Sequence, residues 1–274
     1  CMSHHSKLEK FEDNWQTSMG GLQPDGNVLL RGKNIFTDLN EDRWMEFLLF
    51  AVTGRKDSNL ARLIEAIWVI CTSYPDPRIW NNRVAALAGT SRSTGVLATA
   101  GALAVTEAMI YGSRAILGAS DFLYRLEARL NENVCLDEVV LCELKEFRNV
   151  YGFGRPVLSE DERVKPMMEF ASSRGYGQGK YINLVFEVDN FFKQSRYKYR
   201  VNIAAVTGGL LADEGIKPRE FYDMTTLAFT GGYMPCYADA LSKPEGALFP
   251  LRSDRIRFTG AVKQRKWNEF FGMG

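Results

Sequence analysis

From Glu41 to Leu241 the chain repeats one pattern: apolar residues three and four apart, then a breaker, then the same again. Little besides a stack of helices satisfies it. EDRWMEFLLFAV opens with acids suited to a helix N-terminus. DSNLARLIEAIWVICT starts with Asp57 or Ser58 as a cap. It then sets Leu60, Leu63, Ile64, Ile67, Trp68, Ile70 and Cys71 on one broad face. Further helices are predicted over roughly 79–89, 91–111, 119–131, 136–149, 161–174, 180–195, 201–214, 218–229 and 232–242. SYPDPR, YGFGRP, RGYGQG, EGIKP and KPEG separate them. Only near the start does the pattern differ: GGLQPDGNVLL carries turn dipeptides between short apolar runs and reads as a small hairpin. The fold class is all-α.

Several function classes fall away on simple counts. A net charge of +1 gives no field for nucleic acid or a membrane surface. The longest apolar run, GVLATAGALAVTEAMIYG, is interrupted by Glu107 and dominated by small residues, a poor membrane span and a good buried helix. Its Gly95, Ala98, Ala100, Gly101, Ala102 and Ala104 let another backbone come close, either inside the protein or at a subunit interface. CMSHHSKLEKFEDN has no apolar signal-peptide core. Cys1, Cys71, Cys135, Cys142 and Cys236 read as buried thiols in a reducing, cytoplasmic compartment, and no CxxC pair suggests a metal. The only histidines are His4 and His5, in the N-terminal tail, so a buried histidine acid, base or metal ligand is excluded.

The stretch GFGRPVLSEDER holds the first candidate site. Gly152 and Gly154 flank Phe153 and precede Arg155, a pattern that lets backbone amides and a guanidinium approach an anion. SSRGYGQGK is also glycine-rich, but it follows a helix and lacks Gly-Lys-Ser/Thr, so it reads as an interhelix loop.

Taken in order, five stretches resemble the citrate synthase superfamily, in particular its short citryl-CoA lyase-type members. VLLRGKNIFTDLNEDRWMEFLLFAVTGR is similar to the N-terminal strand, Arg-Gly pair and helix. RVAALAGTSRSTGVLATAGALAVTEAMIYGSRA resembles the helix pair that ends at the first active-site turn. GFGRPVLSEDER resembles the Gly-aromatic-Gly-His loop that ends in Asp-Pro-Arg. YRVNIAAVTGGLLADEGIKPREFY resembles the Asn-Val-Asp helix, and RIRFTGAVKQRKW the C-terminal tail. The resemblance implies a citrate synthase-like fold with a large helical domain, a smaller helical domain and a helix-sandwich homodimer. On it, residues 1–150 and 216–274 form the large domain and 151–215 the small one that closes over the site. It also implies C–C bond chemistry on a coenzyme A thioester or polycarboxylate, with no metal and no tightly bound cofactor.

The catalytic positions depart from the family. Where the resemblance places His, His and Asp, this chain has Tyr111, Arg155 and Asn202. An amide is not a base at neutral pH, so ordinary citrate synthesis is not expected. Tyr111 is either a hydroxyl donor to a carbonyl or a space-filling tyrosine; Arg155 is either an anion or enolate partner or a loop arginine. Asn202 is either a ligand contact or a helix N-cap. The His-Glu segment falls at Ser73, Tyr74, Pro75 and Asp76, which offers Asp76 as a substitute base and Ser73, Tyr74 and Arg78 as substrate contacts, or a simple turn. Arg163 matches the Asp-Pro-Arg arginine, Arg255 is one of several basic tail residues, and Gly152, Phe153 and Gly154 would meet coenzyme A. Two functions follow. One is a divergent lyase or condensing enzyme. The other is a non-catalytic binding or regulatory subunit that holds coenzyme A or a carboxylate, or pairs with an active paralogue.

Overall fold

The computed structural model describes residues 8–108, 111–155, 160–197, 199–248 and 252–260, without the side chains of Tyr111 and Ser253. Three short antiparallel strands come first: β1 (Gly20–Leu22), β2 (Val28–Leu30) and β3 (Lys33–Asn34), with β2 in the middle and Gly21 opposite Leu29. The expected hairpin is thus a three-stranded meander. Helices follow: α1 (Trp44–Thr53), α2 (Ser58–Cys71), α3 (Trp80–Thr90) and α4 (Gly95–Thr106). A two-stranded turn, β4 (Glu107–Ala108) with β5 (Tyr111–Gly112), leads into α5 (Ser113–Asn131) and α6 (Leu136–Phe147). Then come α7 (Val164–Ser173), α8 (Lys180–Gln194), α9 (Ile203–Asp213), α10 (Pro218–Thr225) and α11 (Thr230–Leu241).

Local chemistry explains most of the ends. The Asp57 carboxylate accepts from the Leu60 amide at 2.9 Å, the expected cap of α2. Pro218 opens α10, where its missing N–H costs nothing. The helix predicted over 91–111 stops at Thr106, and the one predicted from 119 begins at Ser113. Gly112 explains both. Its φ is +86°, and a Cβ there would lie 2.3 Å from the Thr106 carbonyl oxygen, so the chain folds back under α4 before α5 starts.

The core is built round α9. Every residue from Ile203 to Ala212 is buried, as IAAVTGGLLAD, apolar all round, requires. Gly208 faces the backbone of Ser120 in α5, and Gly209 faces Ile182 and Val185 in α8, so two bare positions let two helices approach. Helix α9 also packs on α7 and α10, and α5 packs on α6, α8 and α10. Residues 151–215 therefore share one core with helices on both sides of them in the sequence.

The helices of a second group, α3, α4 and α11, pack chiefly on one another, and Ala85, Ala98, Ala102 and Tyr233 tie the group into the same core. A Cβ at Gly89 would lie 2.7 Å from the Tyr237 carbonyl oxygen, so α3 and α11 meet backbone to backbone. Ala86, Cys236 and Ala240 form their own small cluster there. On the outer side of α4, Val96, Leu97, Ala100 and Ala104 are exposed. The thiols divide: Cys71 and Cys236 are buried as expected, whereas Cys135 and Cys142 are exposed on α6 and its cap; Cys1 lies outside the described residues. No helix among the described residues is long and apolar enough to cross a membrane.

Phe122 of α5 is fully buried and meets Phe153 edge to face, ring centroids 6.4 Å apart. Phe122→Ala should cost about 3 to 5 kcal/mol of unfolding free energy, read by urea denaturation, because it empties a ring-sized volume in the core and removes the support of the Gly152–Gly154 loop.

Candidate active site

Two stretches about fifty residues apart in sequence are joined backbone to backbone. Phe153 and Val201 form an antiparallel bridge. The Gly154 amide donates to the Arg200 carbonyl at 2.7 Å, and the Asn202 amide donates to the Gly152 carbonyl at 2.9 Å. The Asn202 side chain completes the join. Its Nδ2 donates to the Gly154 carbonyl at 3.0 Å, and its Oδ1 accepts from the Ala204 amide at 2.9 Å, capping α9. The loop of Arg155 and the motif of Asn202 are thus one unit, and Asn202 is an N-cap.

Two amides of the Gly-Phe-Gly loop are turned inward. The amides of Phe153 and Gly154 are taken by the Val150 and Arg200 carbonyls. Phe153 is buried between Phe122 and Phe192, and Gly152, at φ +89°, would place a Cβ 2.6 Å from that of Ala205. These residues fix the loop to α9, and local sequence cannot show which amides are already spent.

Around this join lies a charged cluster. Asp161, its side chain fully buried, accepts from the Ile203 amide at 3.0 Å and holds Arg163 through two bonds of 2.8 Å to Nε and Nη2. Burial by itself would raise the Asp161 carboxyl. The bonds and charge of Arg163, with the Ile203 and Arg163 amides, outweigh it and hold the group below the usual carboxylate range. Arg155 donates to the Glu160 carbonyl at 3.1 Å, pairs with Glu162, and stands 3.8 Å from Asp161. Arg200 reaches Glu160 at 2.7 Å and Asp189 at 3.4 Å, and Asp189 also accepts from the Val201 amide and pairs with Lys193. Asp161 and Arg200 were not singled out from sequence. The readable signal for Asp161 was its place two residues before Arg163, where Asp-Pro-Arg has its acid.

The other candidates are arranged separately. Asp76 is held by Arg78 through Nε at 2.9 Å and Nη2 at 2.6 Å, and these bonds, with the Arg78 amide, keep its carboxyl below the ordinary range. A carboxylate so held accepts a proton less readily than a free one. Buried Ser73 donates to Asn82, whose Nδ2 in turn donates to the Tyr74 and Asp76 carbonyls, so this segment is a built turn against α3; the Tyr74 ring is exposed. It lies near the cluster, since Arg163 and Asp161 both act electrostatically on the Cys71 thiol, which burial pushes up to about 12. Tyr111 sits in β5, at the turn before α5, and its side chain lies outside the described residues. That turn is tied down by a hydrogen bond from Tyr222 of α10 to Glu107. Arg255 is exposed in a short turn, and residues 261–267 of the tail motif lie outside the described residues. The SSRGYGQGK loop borders a cleft of about 400 Å³ lined by Tyr176, Gln178, Tyr181 and Asp213, none of them a candidate. There Asp213 accepts from the Tyr181 and Ile182 amides, so the chain supplies its own anion to the start of α8. Among the described residues no group of His, Cys, Asp or Glu could hold a metal ion.

Asp161 makes the fold acid-sensitive in a defined direction. Its folded pKa lies below the unfolded value of about 3.9. Its contribution is complete above that value and is lost as the pH falls through the folded one. Asp161→Asn should cost about 2 to 3 kcal/mol at pH 7 and flatten the acid limb of stability against pH, measured by denaturation at a series of pH values.

No protein-family model and no curated protein matches the sequence. Solved structures do. A citryl-CoA lyase from Hydrogenobacter thermophilus superposes with a TM-score of 0.79 at 14% identity, over 94% of this chain and 99% of that one. An ATP citrate lyase from Methanothrix soehngenii, solved with citrate and coenzyme A, matches at 0.74 and 15% identity over 95% of this chain and 45% of its own, so the present chain spans about half of it. A citrate synthase from Thermotoga maritima matches at 0.61 and 16% identity, over 80% and 58%. The chain therefore has the all-helical citrate synthase-like fold, shared over nearly its whole length with that citryl-CoA lyase.

Proposed function

We propose that the protein is a divergent enzyme of the citrate synthase and citryl-CoA lyase type, making or breaking a C–C bond in an acyl-CoA or polycarboxylate substrate. The observation that carries this reading is the join of GFG to RVN, which gathers Arg155, Asn202, Asp161 and Arg163 at the start of α9. An enolate forms only where its charge is stabilised. Arg155 supplies a fixed positive charge for that oxygen, and Tyr111 a hydroxyl from the turn before α5. Arg163 holds a substrate carboxylate, with Arg78, Ser73, Tyr74 and Arg255 as further contacts. The coenzyme A thioester is substrate, and no tightly bound cofactor is required. The proton acceptor is Asp76 once released from Arg78, a carboxylate of the substrate, or water. Residues 151–215 share their core with α5 and α10. The buried thiols suit a reducing, cytoplasmic setting.

A second reading is favoured by one observation: Asn202 and Asp161 are engaged within the chain and Asp76 is paired with Arg78, so none of these three is a free base. It is a non-catalytic subunit that binds coenzyme A or a carboxylate, or pairs with an active paralogue. An assay decides between the two. Purified protein given citryl-, malyl- and related CoA thioesters should turn one over, and Arg155→Gln should lower kcat/KM about 100-fold. Turnover of none, with coenzyme A still bound in calorimetry, assigns the second reading.

The partner proposed for α4 is a second copy of the chain. A helix apolar on all sides is ordinarily buried all round, yet Val96, Leu97, Ala100 and Ala104 are open. Light scattering should give a dimer for the unaltered protein and a folded monomer for Ala100→Arg, since a guanidinium cannot be desolvated at a close helix crossing.

A further inference from the structure

Arg155, Arg163 and Arg200 converge on three consecutive acids. Arg200 takes Glu160, Arg163 takes Asp161 and Arg155 takes Glu162. The three carboxylates are not alike. The Asp161 side chain is 0% exposed and is also fixed by the Ile203 amide, so it belongs to the fold. Glu160 and Glu162 are 70% and 58% exposed, while their arginines are only 33% and 23% exposed. Two half-buried guanidiniums are therefore met by two acids that stand mostly in water. Asp189 supports Arg200 from behind, at 3.4 Å through Nε, and leaves Nη1 to Glu160.

We propose that Glu160 and Glu162 are built-in competitors that occupy a polycarboxylate subsite formed by Arg155 and Arg200, with Arg163 held beside them by Asp161. This rests on the functional reading above, and it adds Arg200 as a substrate-holding cation and self-occupation as the control. Exposed ion pairs are weak, because water solvates both partners and two long side chains must be held still. A small polycarboxylate brings several carboxylates on one rigid frame, and a guanidinium binds each through a two-point bond. The incoming anion therefore displaces the glutamates, which swing into solvent; the free chain is kept from holding weaker monoanions. Compared with an open arginine pocket, the subsite trades affinity for selectivity toward ligands that carry more than one carboxylate.

The test is calorimetric titration with citrate at low ionic strength, on the whole chain, with inorganic phosphate as the single-centre control. Glu160→Gln with Glu162→Gln keeps both shapes and removes both charges, and matching thermal melts report that the fold is kept. Citrate should bind this variant roughly three- to tenfold more tightly than the unaltered chain. Arg200→Gln, made in the same background, should reverse the gain. Phosphate should change much less. Unchanged citrate affinity in the double variant, or an equal gain for phosphate, overturns the proposal. So does citrate binding to neither protein. The thioester assay reads the enzyme assignment independently. If the double variant gains citrate affinity while no thioester is turned over, self-occupation stands and the enzyme reading falls. If thioesters are turned over while the double variant gains nothing, the reverse holds.

Discussion

A helix as buried as α9 cannot leave its first amides to water, and that need organises the site. Asp161 satisfies Ile203, Asn202 satisfies Ala204, and Asp189 satisfies Val201 just ahead of them. Each of these acceptors then attracts a neighbour. Asp161 draws Arg163, Asp189 draws Arg200 and Lys193, and Asn202 fastens Gly154. The arginines that look like ligand groups are thus placed by the requirements of one helix start. The Ile203 and Ala204 amides at the positive end of α9 are already met from within, and the guanidiniums stand around them.

The same logic separates what was legible in the sequence from what was not. The period of 3.6 marks nearly every helix, because burial of one face is what the residues encode. It fails at 107–112, where apolar residues continue but the backbone must turn. The signal there was Gly112, whose positive φ depends on where the Thr106 carbonyl lies, a fact of packing. The order of motifs pointed to the fold that the solved structures share. The glycine loop is ambiguous for a related reason. Gly-Phe-Gly permits backbone amides to face a ligand and equally permits them to face another strand. Only the partner stretch, RVN, decides which. For Asn202 both readings were open, and the cap is observed because a buried helix start needs one.

Chemistry at such a site is limited by proton acceptance more than by charge stabilisation. Positive charge is abundant: Arg155, Arg163, Arg200 and Lys193 lie around the join. Carboxylates are as numerous, yet every one of Glu160, Asp161, Glu162 and Asp189 has a cation beside it. Pairing of that kind lowers a carboxyl's affinity for protons, as Asp161 and Glu162 both display against the opposing push of burial. A step that begins by removing a proton from carbon is therefore poorly served. In cleavage of a C–C bond beside a hydroxyl, a base would take the hydroxyl proton, the electrons would run to the thioester oxygen, where a guanidinium suits the charge, and the enolate carbon would then take a proton, so both directions ask for the same proton carriers. A site of this composition is thus better supplied with groups that hold negative charge than with groups that carry protons.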